Sequence, residues 1–382
     1  MLLGFALGCG GNGAAARAGD VEAFNSRLFD LQYFARPAER LAAPGAGGFA
    51  AALNPAALGA TTGAESRTYA TLHVVDGSTY GLEELIPPGP GRPEPVKIYE
   101  TPTARLAGFG AEQAFALGPL PGAVAVAVDG LDDDLTDNEA SQIEQSGTRV
   151  GLAYGVPLSA ALAAGAEATY FADTWQWSVT WPHFDEGAAL PRNVSYALRS
   201  ESDAWRVRLG LIGRLGAAVR YGLTGEWGAG DADNEWNGTA TGGDDDLRRR
   251  GARGDVEFDV GPRTTLAAAL EWQATDLEFG RHPAAIDPAG GATAEWDANV
   301  ARPMLGIRFA PTAAWQFRGG YRHSFFEIGD LCGRTADNDY GTVAGGATFA
   351  PAGRFSAAAD VEYSDVAPDG EWAGALALQA RF

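Results

Sequence analysis

Hydrophobic and polar residues alternate with a period of two along most of the second half of the chain. Phe355, Ala357, Ala359, Val361 and Tyr363 share one parity, and Arg354, Ser356, Asp360 and Glu362 share the other. Successive side chains of an extended backbone point to opposite faces, so this pattern predicts a strand with one apolar and one polar side. Trp205, Val207, Leu209 and Leu211 alternate in the same way with Arg206 and Arg208, as do Val256, Phe258 and Val260 with Asp255, Glu257 and Asp259. Leu266, Ala268, Leu270 and Trp272 against Glu271 and Gln273 repeat the pattern, as do Leu305, Ile307 and Phe309 against Arg308. It recurs in Trp315, Phe317 and Tyr321 against Arg318 and Arg322. The chain closes on it, with Trp372, Gly374, Leu376, Leu378, Ala380 and Phe382 on one parity. Helical spacing fits none of these segments.

Two kinds of connection separate the strands. Short turns are predicted at GPLPG (118–122), VPLS (156–159), IGRL (212–215), GPRT (261–264), APTA (310–313) and APAG (350–353), most with the Pro or Gly that sets turn dihedrals. Long polar loops are predicted at 77–103, 131–146, 174–201, 228–251, 277–300 and 327–339, with a short one at 365–370. The count is about fourteen strands, with short turns at one end and long loops at the other. Phe309, Trp315, Phe349, Phe355 and Phe382 fall beside the short turns, and Tyr170, Trp205, Trp227, Trp272, Tyr363 and Trp372 beside the long loops, as two interfacial belts would place them. A soluble sandwich would satisfy the same period, but most of these strands exceed the usual ~5 to 6 residues and match the ~9 to 11 that cross a bilayer at a tilt. The fold class is therefore all-β, a transmembrane antiparallel up-and-down β-barrel.

With the apolar parity toward lipid, the charges point into the lumen. Arg206, Arg208, Arg214 and Arg220 face an acidic row, Asp255, Glu257 and Asp259, on a nearby strand. Two readings follow: a paired network that braces the wall, since unpaired charges in a narrow lumen are costly, or a charged constriction that selects ions.

Composition agrees with a barrel. No run approaches the ~18 to 20 apolar residues of a membrane-spanning helix. A formal charge of −21 over 382 residues excludes a nucleic-acid partner, which needs a basic face. Residues 1–18 read as a signal peptide, with a short apolar run and Ala16-Arg17-Ala18 as the cleavage pattern, although the basic n-region is missing. Acylation at Cys9 is the alternative. If Cys9 leaves with the signal, Cys332 stands alone, and neither an intrachain disulfide nor a cysteine metal cluster can form. The implied location is the outer membrane of a Gram-negative-type bacterium, in contact with its lipid and lipopolysaccharide.

Residues 19–66 do not alternate. Phe24, Leu28, Leu31 and Phe34 stand near helical spacing and are stopped by Pro37, which predicts a short amphipathic helix. Small residues and glycines follow from 41 to 63, with Asn54-Pro55-Ala56 among them. Together with the strand count and the terminal Phe382, this stretch resembles the FadL-type outer-membrane transport family and its relatives. The resemblance implies an N-terminal hatch over 19–66 that plugs a barrel over 67–382, with Asn54, Pro55 and Ala56 at its gate. It also implies passive passage of hydrophobic small molecules. The side chain of Asn54 can cap a turn while Pro55 fixes φ, or Pro55 can open a helix at its first position. Two departures stand out. Ala43-Pro44-Gly45 replaces the family's Met-Gly pair, and the third strand, PGAVAVAVDG, has no interior Gly or Pro to kink it, which removes the usual device for lateral release. TraF-like and PorV-like relatives, linked to conjugation and protein secretion, provide the alternative role.

No Ser/His or Asp/His signature surrounds His73, His183, His282 or His323, so an enzyme is disfavoured and no cofactor is implied. Asp132 to Asp134 and Asp244 to Asp246 lack the spacing of a calcium loop, so no metal site is assigned and they read as solvated external loops. Transport predicts an apolar pocket under the long loops, built in part from Trp175, Trp177, Trp181 and Phe184. The resemblance makes Phe382 the signal read by the barrel-assembly machinery.

Overall fold

The computed structural model describes residues 54–60, 65–76, 103–116, 122–136, 141–183, 192–236, 239–240, 245–279, 294–329, 335–351, 355–365 and 371–381. Among them are fifteen strands in one sheet: β1 Glu65–Asp76, β2 Thr103–Ala116, β3 Ala123–Thr136, β4 Ser141–Ser159, β5 Leu162–His183, β6 Arg192–Leu215, β7 Val219–Trp236, β8 Thr239–Ala240, β9 Asp245–Gly261, β10 Thr264–Phe279, β11 Ala294–Phe309, β12 Trp315–Gly329, β13 Thr335–Phe349, β14 Phe355–Ser364 and β15 Glu371–Arg381. Neighbours are antiparallel and follow chain order, except that β8 pairs only with the end of β7, outside the ring. β1 pairs with β15 and β6 with β7, so the sheet closes on itself. Closure removes free edges, which lets a sheet stand in a medium that offers no hydrogen bonds.

The wall is inverted relative to a soluble core. Leu209 is 60% exposed and Leu305 63%, whereas Arg206 is 2% and Glu257 1% exposed. Apolar residues line the outside and charged ones the inside, because lipid solvates the first and only partners inside the barrel can satisfy the second. Phe309, Trp315, Phe349 and Phe355 lie exposed beside the short turns, and Tyr170, Trp205, Trp227, Trp272 and Trp372 near the opposite end. On β6 the stretch from Trp205 to Leu215 rises roughly 25 Å at a tilt of about 40°, the height of an apolar girdle. Phe382 lies outside the described residues.

Two sets of sequence expectations need correction. VPLS and IGRL are not turns: residues 156–159 end β4 and 212–215 end β6. The chain turns instead at Ala160-Ala161 and at Gly216–Ala218, where Gly216 has φ 69°, a left-handed conformation that suits glycine. The stretches 131–146, 174–201 and 228–251 are not mainly loops either. β3 runs on to Thr136, the β5–β6 hairpin spans all but residues 184–191 of its stretch, and β7 and β9 reach Trp236 and back to Asp245. Beyond the membrane a strand keeps its ladder without an apolar face, so polarity there marks solvent rather than loop. β3 does contain an interior glycine, Gly130, because it runs on to Thr136, yet it pairs with β2 and β4 in unbroken register through that residue, so no kink interrupts the ladder.

Candidate functional site

The segment Asn54–Ala60 sits inside the barrel, against the inward face of β3 to β6 near the short-turn end. Asn54 opens a 3₁₀ turn over Pro55–Ala60: its Oδ1 accepts from the backbone N–H of Ala56 at 3.1 Å, and its carbonyl from that of Ala57 at 3.0 Å. Pro55 takes the first position, where no N–H is needed. The two readings of Asn-Pro, cap and helix start, are therefore one structure. The Asn54 amide then donates to the carbonyls of Leu211 and Leu223, at 3.1 and 3.2 Å, on the paired strands β6 and β7. Asn54, Pro55, Ala56 and Leu58 are all buried.

Glycines in the wall make the seat. A Cβ on Gly165 would lie 2.4 Å from the Pro55 carbonyl carbon, one on Gly155 2.7 Å from the Pro55 carbonyl oxygen, and one on Gly210 2.0 Å from Asn54 Oδ1. All three occupy the inward parity of β4, β5 and β6, so any side chain there would lift the segment off. Leu58 completes the contact by packing among Ala114, Ala123, Ala125 and Ala153.

Buried ion pairs line the wall. Arg220 donates from Nε to Glu257 at 2.7 Å and from Nη2 to Asp259 at 2.8 Å, and Arg308 of β11 adds a contact to Glu257 at 3.6 Å. Arg206 and Arg208 do not face this acidic row. They share Glu167 of β5, each at 3.3 Å, and Arg208 reaches Glu226 of β7 at 3.7 Å. Arg206 also lies over the Phe171 ring, 5.3 Å from its centroid. Glu226 takes Arg249 at 2.9 Å, while Glu271 takes Arg302 at 2.6 Å and Arg253 at 3.6 Å. Asp255 pairs only loosely with Arg253, at 3.9 Å. Across the barrel Arg318 grips Asp360 with Nη2 at 2.7 and 2.9 Å, and Arg322 faces Glu362 at 3.7 Å. A buried charge is tolerated only with such partners, so the arrangement ties neighbouring strands together.

Glu167, Glu226 and Glu362 join this network without being marked as partners by the two-residue period. Each lies on the polar parity, and the signal that finds a partner is register: Arg208 stands opposite both Glu167 and Glu226, Arg220 opposite Glu257, and Glu271 opposite both Arg253 and Arg302. Trp175, Trp177 and Trp181 lie on β5, opposite Ser200, Leu198 and Val194, while Phe184 lies outside the described residues. Among the described residues no cluster of His, Cys, Asp and Glu is arranged to hold a metal ion.

No protein-family model matches the chain, and no curated protein matches it. Solved structures do. A Pseudomonas aeruginosa FadL homologue superposes with a TM-score of 0.56 at 12% identity, over 87% of this chain and 93% of its own. The monoaromatic hydrocarbon channel CymD gives 0.54 at 13%, over 93% and 99%. The Ralstonia pickettii toluene transporter TbuX gives 0.53 at 12%, over 87% and 93%. At this identity the likeness establishes architecture, and it joins the closed ring, the inverted wall and the internal Asn-Pro-Ala segment: the chain is a lipid-facing β-barrel with the fold of the FadL-type transporters.

Proposed function

We propose that the barrel provides passive passage for hydrophobic small molecules across the outer membrane, with residues 19–66 as a hatch whose seated part is Asn54–Ala60. The observation that carries the reading is the hydrogen-bonded seating of Asn54 across two wall strands on a glycine floor. A segment held inside the lumen by a few replaceable bonds is a closure that can be released. The names of the similar barrels, a monoaromatic hydrocarbon channel and a toluene transporter, support an apolar cargo. In this reading the paired charges are a brace and not an ion filter, and cargo enters beyond them, from a pocket under the long loops that includes Trp175, Trp177, Trp181 and Phe184. Passage involves no bond chemistry, so the protein is not an enzyme. Phe382 serves as the assembly signal. An accessory role in conjugation or secretion draws no support from these similar barrels, which are named for the cargo they carry.

The test is uptake of radiolabelled toluene by Gram-negative cells that have an intact lipopolysaccharide leaflet and no channel of this kind. Expression should raise the initial rate while leaving glucose entry unchanged. A toluene rate equal to that of cells carrying the empty vector would reject the reading.

A further inference from the structure

The outward face of the barrel is apolar up to the upper aromatic belt, and β9 then carries two exposed arginines, Arg248 and Arg250, on that lipid-facing parity. Trp227 of β7 stands directly opposite Arg250, and Trp205 of β6 meets Trp227 edge to face with ring centroids 4.5 Å apart. Trp272 follows on β10, opposite Ala252. The result is a patch across β6 to β10 in which two guanidinium groups sit at tryptophan level, at the membrane face away from the short turns.

In a barrel of this orientation that face meets the outer leaflet. We propose that this patch binds the phosphorylated glucosamine headgroup of the outer-leaflet glycolipid, lipid A. The proposal rests on the membrane location of the barrel and is independent of what passes through it.

Charge and geometry select this occupant. Guanidinium forks match phosphate oxygens in two-point contacts, and indoles favour the boundary where a polar headgroup meets acyl chains. The Leu223 and Leu270 side chains, exposed below the arginines, offer the acyl chains a surface. The protein competes only weakly for the cations. Arg250 reaches Asp276 only at 4.0 Å with both side chains about half exposed, where solvent screens the pair. In a chain of net charge −21, whose exposed wall residues just above include Asp231 and Asp246, paired outward arginines at this level are not explained by general surface charge.

The experiment uses the full chain, delipidated in detergent, and titrates it with bisphosphorylated lipid A, dephosphorylated lipid A, phosphatidylglycerol and phosphatidylcholine, read by native mass spectrometry. The wild type should bind bisphosphorylated lipid A most tightly. Arg248→Gln/Arg250→Gln should lose about tenfold or more for that lipid while its affinity for phosphatidylcholine stays unchanged. Heat-modifiable gel migration confirms that the variant barrel is folded, and Trp227→Ala supplies a second variant that leaves the charges in place and should also weaken binding. Equal affinity of the double variant and the wild type for bisphosphorylated lipid A would overturn the proposal. So would equal affinity of the wild type for the dephosphorylated form, and phosphatidylglycerol bound as tightly as lipid A would overturn its glycolipid part.

Discussion

Replacing Asn54 by Asp separates the donors of the seat from its shape. The Asn54 side chain makes three hydrogen bonds, two as donor to the Leu211 and Leu223 carbonyls and one as acceptor from Ala56. At a net ~1 kcal/mol each, Asn54→Ala removes about 3 kcal/mol of seating, and the unseated population rises roughly a hundredfold. Asn54→Asp preserves the acceptor and the volume. It loses both donor bonds, about 2 kcal/mol, and adds a carboxylate oxygen facing two carbonyl oxygens at roughly 3 Å, so the Asp variant should open at least as much as the Ala variant. Single-channel conductance in planar bilayers measures opening, and swelling of proteoliposomes in a small neutral sugar measures it in bulk. Heat-modifiable gel migration keeps loss of the hatch apart from loss of the barrel. Gly210→Ala reaches the same endpoint from the wall, because its Cβ would lie 2.0 Å from Asn54 Oδ1 and 3.1 Å from Pro55 Cδ. If the Asp variant conducts like the wild type while the barrel stays folded, the two donor bonds do not hold the segment and the reasoning fails.

Two other predictions concern the wall. Asp360→Asn removes the counter-charge of the buried Arg318 guanidinium, which keeps Thr348 as an acceptor, and should cost about 3 kcal/mol in denaturant unfolding, whereas Arg318→Met/Asp360→Leu should stay near wild type; equal losses in the two would show that the pair does not act as a unit. Leu209→Arg places a charge on the lipid side midway between Trp205 and the turn at Gly216, and should destabilise the barrel by about 2 to 4 kcal/mol in vesicles. Arg introduced instead at Leu215, beside the inner interface, should cost about 1 kcal/mol or less; no difference between the two positions would contradict the depth assigned to β6.

How much of this was legible in the sequence depended on whether a feature is set by period or by register. The two-residue period marks which face of each strand meets lipid, so Leu209 and Arg208 are sorted correctly without any structure. Turn placement was missed where small residues flank the bend: VPLS drew the turn to Pro157, yet the ladder continues through Ser159, and RLGAAVR hid its turn at Gly216 because only the closed ring reveals that a left-handed φ is needed there. Partner choice was harder still. A strand can slide by two residues without changing which face is apolar, so the period allows Arg206 and Arg208 to face the Asp255 row, whereas the observed register puts Glu167 and Glu226 opposite Arg208.

Glycines carried the remaining information, in a form that reads only in three dimensions. Gly346 lies between Arg318 and Asp360 on the three strands β12, β13 and β14, opposite each in register, and a Cβ there would fall 1.8 Å from Asp360 Oδ1. The missing side chain is what lets an arginine bind an acid two strands away. Gly155 and Gly165 do the same for the backbone of the Asn54 segment, and Gly210 for the Asn54 side chain. In the alternating pattern a glycine counts for neither face, yet at these inward positions it decides what the wall can hold. The lumen is therefore shaped as much by where side chains are absent as by the charges that the period exposes, and Gly346→Ala should reproduce the instability of Asp360→Asn without removing a charge.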